Sequence, residues 1–146
     1  MKRRGLQLSK RHRRTLYAVG LTLLLSGILW AWLQHLDQAG NAPEAARRWK
    51  TGLIALHGWS AMLFVLLFGT ILPGHVRRGW HARKNLKNGI FFLSVITLLT
   101  LSGYALYYTA DENWRAMAGN FHLWLGIAAP ALLILHIRSG QRATMR

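Results

Sequence analysis

Four histidines at the ends of two apolar segments are the residues of this chain best suited to chemistry. One segment opens at His57 and closes at His75, and the other opens at His122 and closes at His136. Both begin H-x-W, and both end in histidine, a branched apolar residue and arginine. An unsatisfied polar group in hydrocarbon is costly, and ionisable residues there usually mark a function. Because neutral imidazole is a common ligand for transition metals, the matched positions indicate metal coordination near both ends of the segments.

Four long apolar segments must position these histidines. They are Leu16–Leu36, Thr51–Leu72, Gly89–Thr109 and Ala118–Ile137, and none contains Asp, Glu, Lys or Arg. Each is close to the roughly 20 residues that a helix needs to cross a bilayer. A soluble bundle would need a polar face on each helix, which these segments lack. The sequence therefore predicts an all-α membrane protein, a bundle of four transmembrane helices.

The predicted bundle covers residues 16–138 and lies between a basic amino-terminal segment, 1–15, and a basic tail, 139–146. These two segments, Arg138 just before the tail and the second loop carry 15 of the 19 basic residues and no acid, whereas the first and third loops carry all four acids. The positive-inside rule therefore predicts a multi-pass protein of the bacterial inner membrane with both termini in the cytoplasm. Because the basic residues stand in runs between apolar blocks, we do not expect nucleic acid as a partner; the expected surroundings are membrane lipid.

Alternating helices make the second and fourth spans parallel. His57 and His122 then lie near the outer surface, and His75 and His136 lie near the cytoplasmic one. His57 and His75 are 18 residues apart, which is five whole turns and about 27 Å. His122 and His136 are 14 residues apart, which is about 21 Å. Ideal helices do not match both spacings. Pro73 is therefore expected to end or kink the second span, so that a turn presents the histidine that follows it.

Two facing imidazoles at each surface suit the two axial positions of a haem iron. The chain has no cysteine, which excludes disulfides, iron–sulfur clusters and thioether-linked haem. Any haem must therefore be held by coordination and packing alone, and the matched pairs can hold two, with one remaining if the cytoplasmic pair does not bind. The predicted iron ligands are His57 and His122 for one group, and His75 and His136 for the other.

With these four spans and four histidines, the chain from about residue 16 to residue 138 resembles the small bacterial di-haem b-type membrane cytochromes. These include the cytochrome b subunits that anchor hydrogenases and formate dehydrogenases. The H-x-W start of the fourth span and the thirteen residues between His122 and His136 are its most typical features. The resemblance implies two non-covalent haem b groups and electron exchange with quinone or quinol and with a redox partner protein or subunit. It thus implies an electron-transfer subunit of a quinone-linked oxidoreductase, with any substrate oxidation on another polypeptide.

The sequence leaves alternatives open for the function of the chain and for the role of His35. The alternative function is a histidine-based transporter of metal ions or protons, which the absence of carboxylate and cysteine from the spans disfavours. A purely structural anchor leaves the repeated histidines unexplained. His35, at the outer end of the first span, is expected to be an interfacial residue; a substitute ligand, a hydrogen-bonding neighbour and a quinone contact are its alternatives.

Overall fold

A computed structural model describes residues 9–82 and 85–145 of the chain. Within these ranges the secondary structure consists of helices and turns, without strands. The helices are α1 (Lys10–Gln38), α2 (Glu44–Ala82), α3 (Leu86–Tyr108) and α4 (Glu112–Met145). Each is long and apolar enough to cross a membrane. The prediction of an all-α chain with four such helices is confirmed.

The helices extend beyond the apolar segments because polar groups, rather than the end of hydrophobicity, determine where they start. Ser9 caps α1, its side chain accepting a hydrogen bond from the backbone N–H of His12 at 3.2 Å. Asp111 precedes α4 and accepts from the N–H of Trp114 at 2.9 Å. At the other end, α4 continues to Met145, so that most of the predicted basic tail is helical. Six of the basic residues on which the topology prediction depends lie outside the described ranges: Lys2, Arg3, Arg4, Arg83, Lys84 and Arg146.

The structure differs from the sequence-based expectation at Pro73. α2 runs without a break for 39 residues with this proline inside it, and α4 likewise contains Pro130. A proline removes one backbone hydrogen bond, and membrane helices tolerate that loss when neighbouring groups and small backbone adjustments compensate. His75 consequently lies on a helix and not on a turn.

The chain divides into two compact units, the first ending at Ile71 and the second beginning at Leu72. In the first unit, α1 and the amino-terminal part of α2 are antiparallel. Lys50 donates to Asp37 at 2.8 Å near the connecting loop, and Nε2 of His12 lies 3.3 Å from Thr70 Oγ1 at the far end. These contacts fix the register in which α2 faces α1.

In the second unit, α3 and α4 form a similar antiparallel pair. Ser102 faces His122 near the loop at 2.9 Å, and Ser139 donates to Asn85 at 2.7 Å near the other end. Between them, Val95 and Ile96 of α3 are buried. Each unit therefore contains a helical hairpin that places one histidine of its second helix opposite a serine of its first, and the second unit also holds the end of α2.

Burial in the described residues runs against the pattern of a water-soluble protein. Large apolar side chains are mostly exposed, including Leu25, Trp59 and Leu101, whereas three serines are buried: Ser26, Ser60 and Ser102. In a bilayer the surrounding lipid is as apolar as leucine, so helices associate through small and polar residues instead. Two of these buried serines contact histidines: Ser26 lies against His57, and Ser102 lies against His122.

Candidate functional site

The imidazole of His57 is held by α1 through its Nδ1 atom. This nitrogen lies 3.0 Å from the carbonyl oxygen of Leu23 and 3.2 Å from Oγ of Ser26. A carbonyl accepts only, so the ring must donate its Nδ1 proton to it. Ser26 donates its single hydroxyl proton to the carbonyl of Thr22 at 2.7 Å, so its oxygen can be a second acceptor for the Nδ1 proton of His57. His57 is therefore protonated at Nδ1, and its Nε2 atom carries the lone pair that a metal requires.

His122 is held by α3 in the same way. Its Nδ1 atom lies 2.9 Å from Oγ of Ser102, and that hydroxyl lies 3.2 Å from the carbonyl of Leu99, to which it donates. When the serine proton stays on the backbone carbonyl, the ring supplies the proton of the contact between them, and the lone pair of His122 lies on Nε2 as it does in His57. Metal-binding histidines usually donate their second ring N–H in this manner, which fixes their tautomer and orientation.

A glycine follows each of the two serines and lies against the same histidine ring. A Cβ atom built on Gly27 would stand 3.0 Å from Cε1 of His57, and one on Gly103 would stand 3.2 Å from Cε1 of His122. Both distances are shorter than ordinary van der Waals contacts, so any larger residue must displace the imidazole. The absence of a side chain therefore allows each ring to pack directly on the neighbouring helix.

The serine and glycine belong to a short repeat that the pattern of candidate metal ligands does not include. The first helix of one hairpin contains Leu23–Gly27 and that of the other contains Leu99–Gly103, both of the form L-x-x-S-G. Each stands opposite an H-x-W sequence on the following helix. The repeat is visible in the sequence, but it lies on the two spans without predicted ligands, and serine is not among the residues that the sequence pattern marks as metal ligands.

The second unit brings His75 and His136 together. Their ring centres are 6.0 Å apart with an angle of 63° between the planes, and Phe92 stacks on His136 at 5.0 Å. A transition metal bound to two imidazole nitrogens at about 2 Å each, with about 1 Å more from nitrogen to ring centre, gives a separation of about 6 Å. The spacing of this predicted pair is that of an ordinary edge contact between two rings, and it is also compatible with a shared metal ion.

The side chain of Asn88 on α3 affects which ring nitrogen of His136 can bind a metal ion. Its amide nitrogen lies 3.4 Å from Nδ1 of His136 and 3.4 Å from the carbonyl oxygen of the same residue. In this orientation Nδ1 accepts a hydrogen bond, and the ring carries its proton on Nε2. Iron coordination through Nε2 requires the amide to turn over, so that its oxygen accepts from Nδ1–H. This end is thus arranged differently from the serine-held histidines.

The other predicted site residues have the following positions. His57 and His122 lie in different units, and their pairing stays a prediction. His35 is exposed on α1. Within the described parts of the chain, no group of three His, Cys, Asp or Glu side chains is placed to hold a metal ion. Comparison with family models, curated proteins and solved structures gives no match to this chain.

Proposed function

We propose that the protein is a transmembrane b-type cytochrome of the bacterial inner membrane, with its four helices bundled and both termini in the cytoplasm. It carries electrons through two bis-histidine haems between a quinone pool and a redox partner protein. His57 and His122 are the ligands of the outer haem, and His75 and His136 are those of the cytoplasmic haem.

The observation that carries this proposal is the matched setting of His57 and His122. Each ring has its Nδ1 atom against an oxygen of the preceding helix, 3.0 Å from the Leu23 carbonyl for His57 and 2.9 Å from Ser102 Oγ for His122, so that Nε2 is the nitrogen suited to bind iron. A histidine that serves only to pack or to relay protons has no need of the same setting at two equivalent positions. Two such rings match the demand of haem, which supplies four equatorial nitrogens and needs two axial ligands from the protein.

The spacing of His75 and His136 supports a second haem at the other end. Their ring centres lie 6.0 Å apart, which suits an iron between them, whereas a non-haem zinc site generally takes three or four protein ligands. The exposed basic side chains Arg77 and Arg138 stand two residues beyond these histidines and are suited to neutralise haem propionates.

Bound haem would supply a one-electron iron couple, and the residues of this chain determine where and how tightly it is held. The apolar spans would exclude water from the iron of a bound haem. The imidazole ligands and the oxygens behind them set the electron density that the ring offers to the metal. Haems toward opposite surfaces of a roughly 30 Å hydrocarbon core would move electrons between a quinone at one surface and a partner at the other.

An optical spectrum of the protein purified in detergent from cells supplied with iron and a haem precursor tests the proposal. We expect a sharp α band on reduction, typical of low-spin bis-histidine haem b. Elemental analysis should find iron in the same proportion as haem. Bound zinc or copper without an α band would instead support the transporter alternative and contradict the cytochrome.

The variants His57→Ala and His122→Ala separate ligation from general folding. Each should lose the same part of the α band, because either substitution removes one axial ligand of the shared haem. His35→Ala is the matched control, since this histidine lies on α1 toward the same loop and is exposed. Its spectrum should equal that of the unaltered protein. An unchanged band in both ligand variants would exclude this pair as ligands.

A further inference from the structure

The hydroxyl groups of Ser26 and Ser102 are buried and lie against the rings of His57 and His122. They are among the few buried polar side chains of the described residues, with 3% and 9% of their surface exposed. Serine in a helix commonly donates to a carbonyl one turn earlier, and both do so here. That bond satisfies the hydroxyl proton but does not require the oxygen to face an imidazole on another helix.

We propose that Ser26 and Ser102 are positioning residues that hold His57 and His122 in the tautomer and orientation needed to bind haem iron. The serine proton is directed to the backbone of its own helix, so its oxygen presents lone pairs to the facing Nδ1–H. The adjacent Gly27 or Gly103 provides the space for the ring to reach that oxygen. This role of the serines in setting haem properties rests on the proposed function, whereas the tautomer itself does not.

The two serines should contribute unequally. The Ser102 contact with His122 is the shorter, at 2.9 Å against 3.2 Å for Ser26 with His57. In addition, the Leu23 carbonyl lies 3.0 Å from Nδ1 of His57 and remains an acceptor when the Ser26 hydroxyl is removed. Loss of the hydroxyl at Ser102 should therefore have the larger effect.

The hydrogen bond should also lower the reduction potential of the outer haem. An imidazole that donates from Nδ1 becomes a more basic ligand, and a more basic ligand stabilises ferric iron relative to ferrous iron. Removing the acceptor should raise the potential. A tenfold change in the ratio of reduced to oxidised haem at a fixed potential corresponds to about 59 mV for one electron.

The first experiment measures tautomers in haem-free protein labelled with ¹⁵N-histidine. Nitrogen spectra of the unaltered chain should show His57 and His122, assigned by substitution of each, protonated at Nδ1. In Ser102→Ala, His122 should lose this single form and show a mixture with the Nε2-protonated form. Ser102→Thr keeps the hydroxyl and should restore the Nδ1 form. Nε2 protonation in the unaltered chain, or no change in Ser102→Ala, would overturn the inference.

The second experiment titrates the haem-loaded protein with a reductant and follows haem loss to an excess of apomyoglobin. Ser102→Ala should raise the potential of the outer haem and release it about tenfold faster, the lower end of the usual effect of removing such a partner. Ser26→Ala should change both quantities less, and Ser94→Ala, an exposed serine of α3, should change neither. Haem with the same potential and release rate in Ser102→Ala would overturn the inference but leave the cytochrome intact. A chain that binds no haem would contradict the proposed function, while the tautomer spectra would still decide the role of the serines.

Discussion

The rings of His75 and His136 lie with their centres 6.0 Å apart, although 60 residues separate them in the sequence. One belongs to the carboxyl-terminal part of α2 and the other to α4, and each follows a proline that its helix contains. The difference between the 18-residue and 14-residue spacings therefore does not keep the two imidazoles apart. The structure thus brings together His75 and His136, the pair that the sequence predicts for the cytoplasmic side.

This pair should hold a haem of its own. We expect His75→Ala and His136→Ala each to remove one of two haems and to leave the other with its spectrum unchanged, because the serine-held histidines are untouched. The measurement is haem per chain together with the reduced spectrum. His81→Ala, which removes an exposed histidine six residues further along α2, should retain both haems. Equal loss of haem in this control would show that the effect comes from disturbing the helix and not from removing a ligand.

Asn88 should control haem occupancy at the same pair. Asn88→Asp replaces the amide nitrogen near Nδ1 of His136 by oxygens that accept only, which favours the tautomer able to bind iron. In a His57→Ala background, where the cytoplasmic haem alone is expected, Asn88→Asp should increase bound haem. A gain of one hydrogen bond to a charged acceptor is worth about 1.5–3 kcal/mol, or roughly tenfold or more in affinity.

Asn120→Asp is the matched control, because it makes the same change at an exposed position of α4. It should leave haem affinity as it is. A fall in affinity caused by Asn88→Asp, with no change in the control, would mean that the amide nitrogen serves another purpose at His136.

Alanine at the two histidine-facing glycines should weaken the outer haem. The added Cβ would approach the imidazole of His57 or His122 to 3.0 or 3.2 Å, so the ring must move or the helices must separate. Overpacking of this kind costs about 1–3 kcal/mol. We expect Gly27→Ala and Gly103→Ala to broaden or shift the α band of the outer haem and to lower the unfolding temperature of the loaded protein.

Gly52→Ala and Gly69→Ala test the same substitution where a Cβ would meet no atom within 4 Å. Both should behave like the unaltered protein or gain slightly in stability, since alanine favours helix more than glycine does. If they weaken haem binding as much as the histidine-facing variants do, the contact with the rings is not the cause.

The sequence allowed the helices to be predicted more completely than the site. Apolar segments without charge located all four spans, because the cost of burying charge in lipid is large and acts at every position. Hydropathy reports the part of a helix that suits lipid, however, and not where its hydrogen bonding ends. α2 accordingly begins at Glu44 and ends at Ala82, well outside Thr51–Leu72.

The four histidines were found because imidazole is rare and conspicuous in an apolar span. Ser26 and Ser102 were not found, since serine is common in membrane helices and its role depends on which residue of another helix it faces. The contact of Asn88 with His136 likewise depends on the register of α3 against α4, which spacing within one helix does not determine. Ligand candidates can thus be read from residue type, whereas the groups behind them need the packing of two helices.

The proposed orientation gives a prediction of its own. Because the positive charge lies in the amino-terminal segment, the second loop and the tail, these regions should remain in the cytoplasm. Fusions of a reporter that is active only outside the cytoplasm should be active after Asn41 or Asp111 and inactive after Lys87 or at the carboxyl terminus. The opposite pattern would reverse the orientation and exchange the surfaces assigned to the two haems.

Haem per chain, determined by the pyridine haemochrome method on protein quantified by amino-acid analysis, tests the central claim most directly. The account predicts two haem b groups per chain. It predicts one group in either His57→Ala or His136→Ala and none when both are combined. A chain purified from haem-replete cells that contains no haem b, or one whose haem content is the same in the double variant, would contradict it.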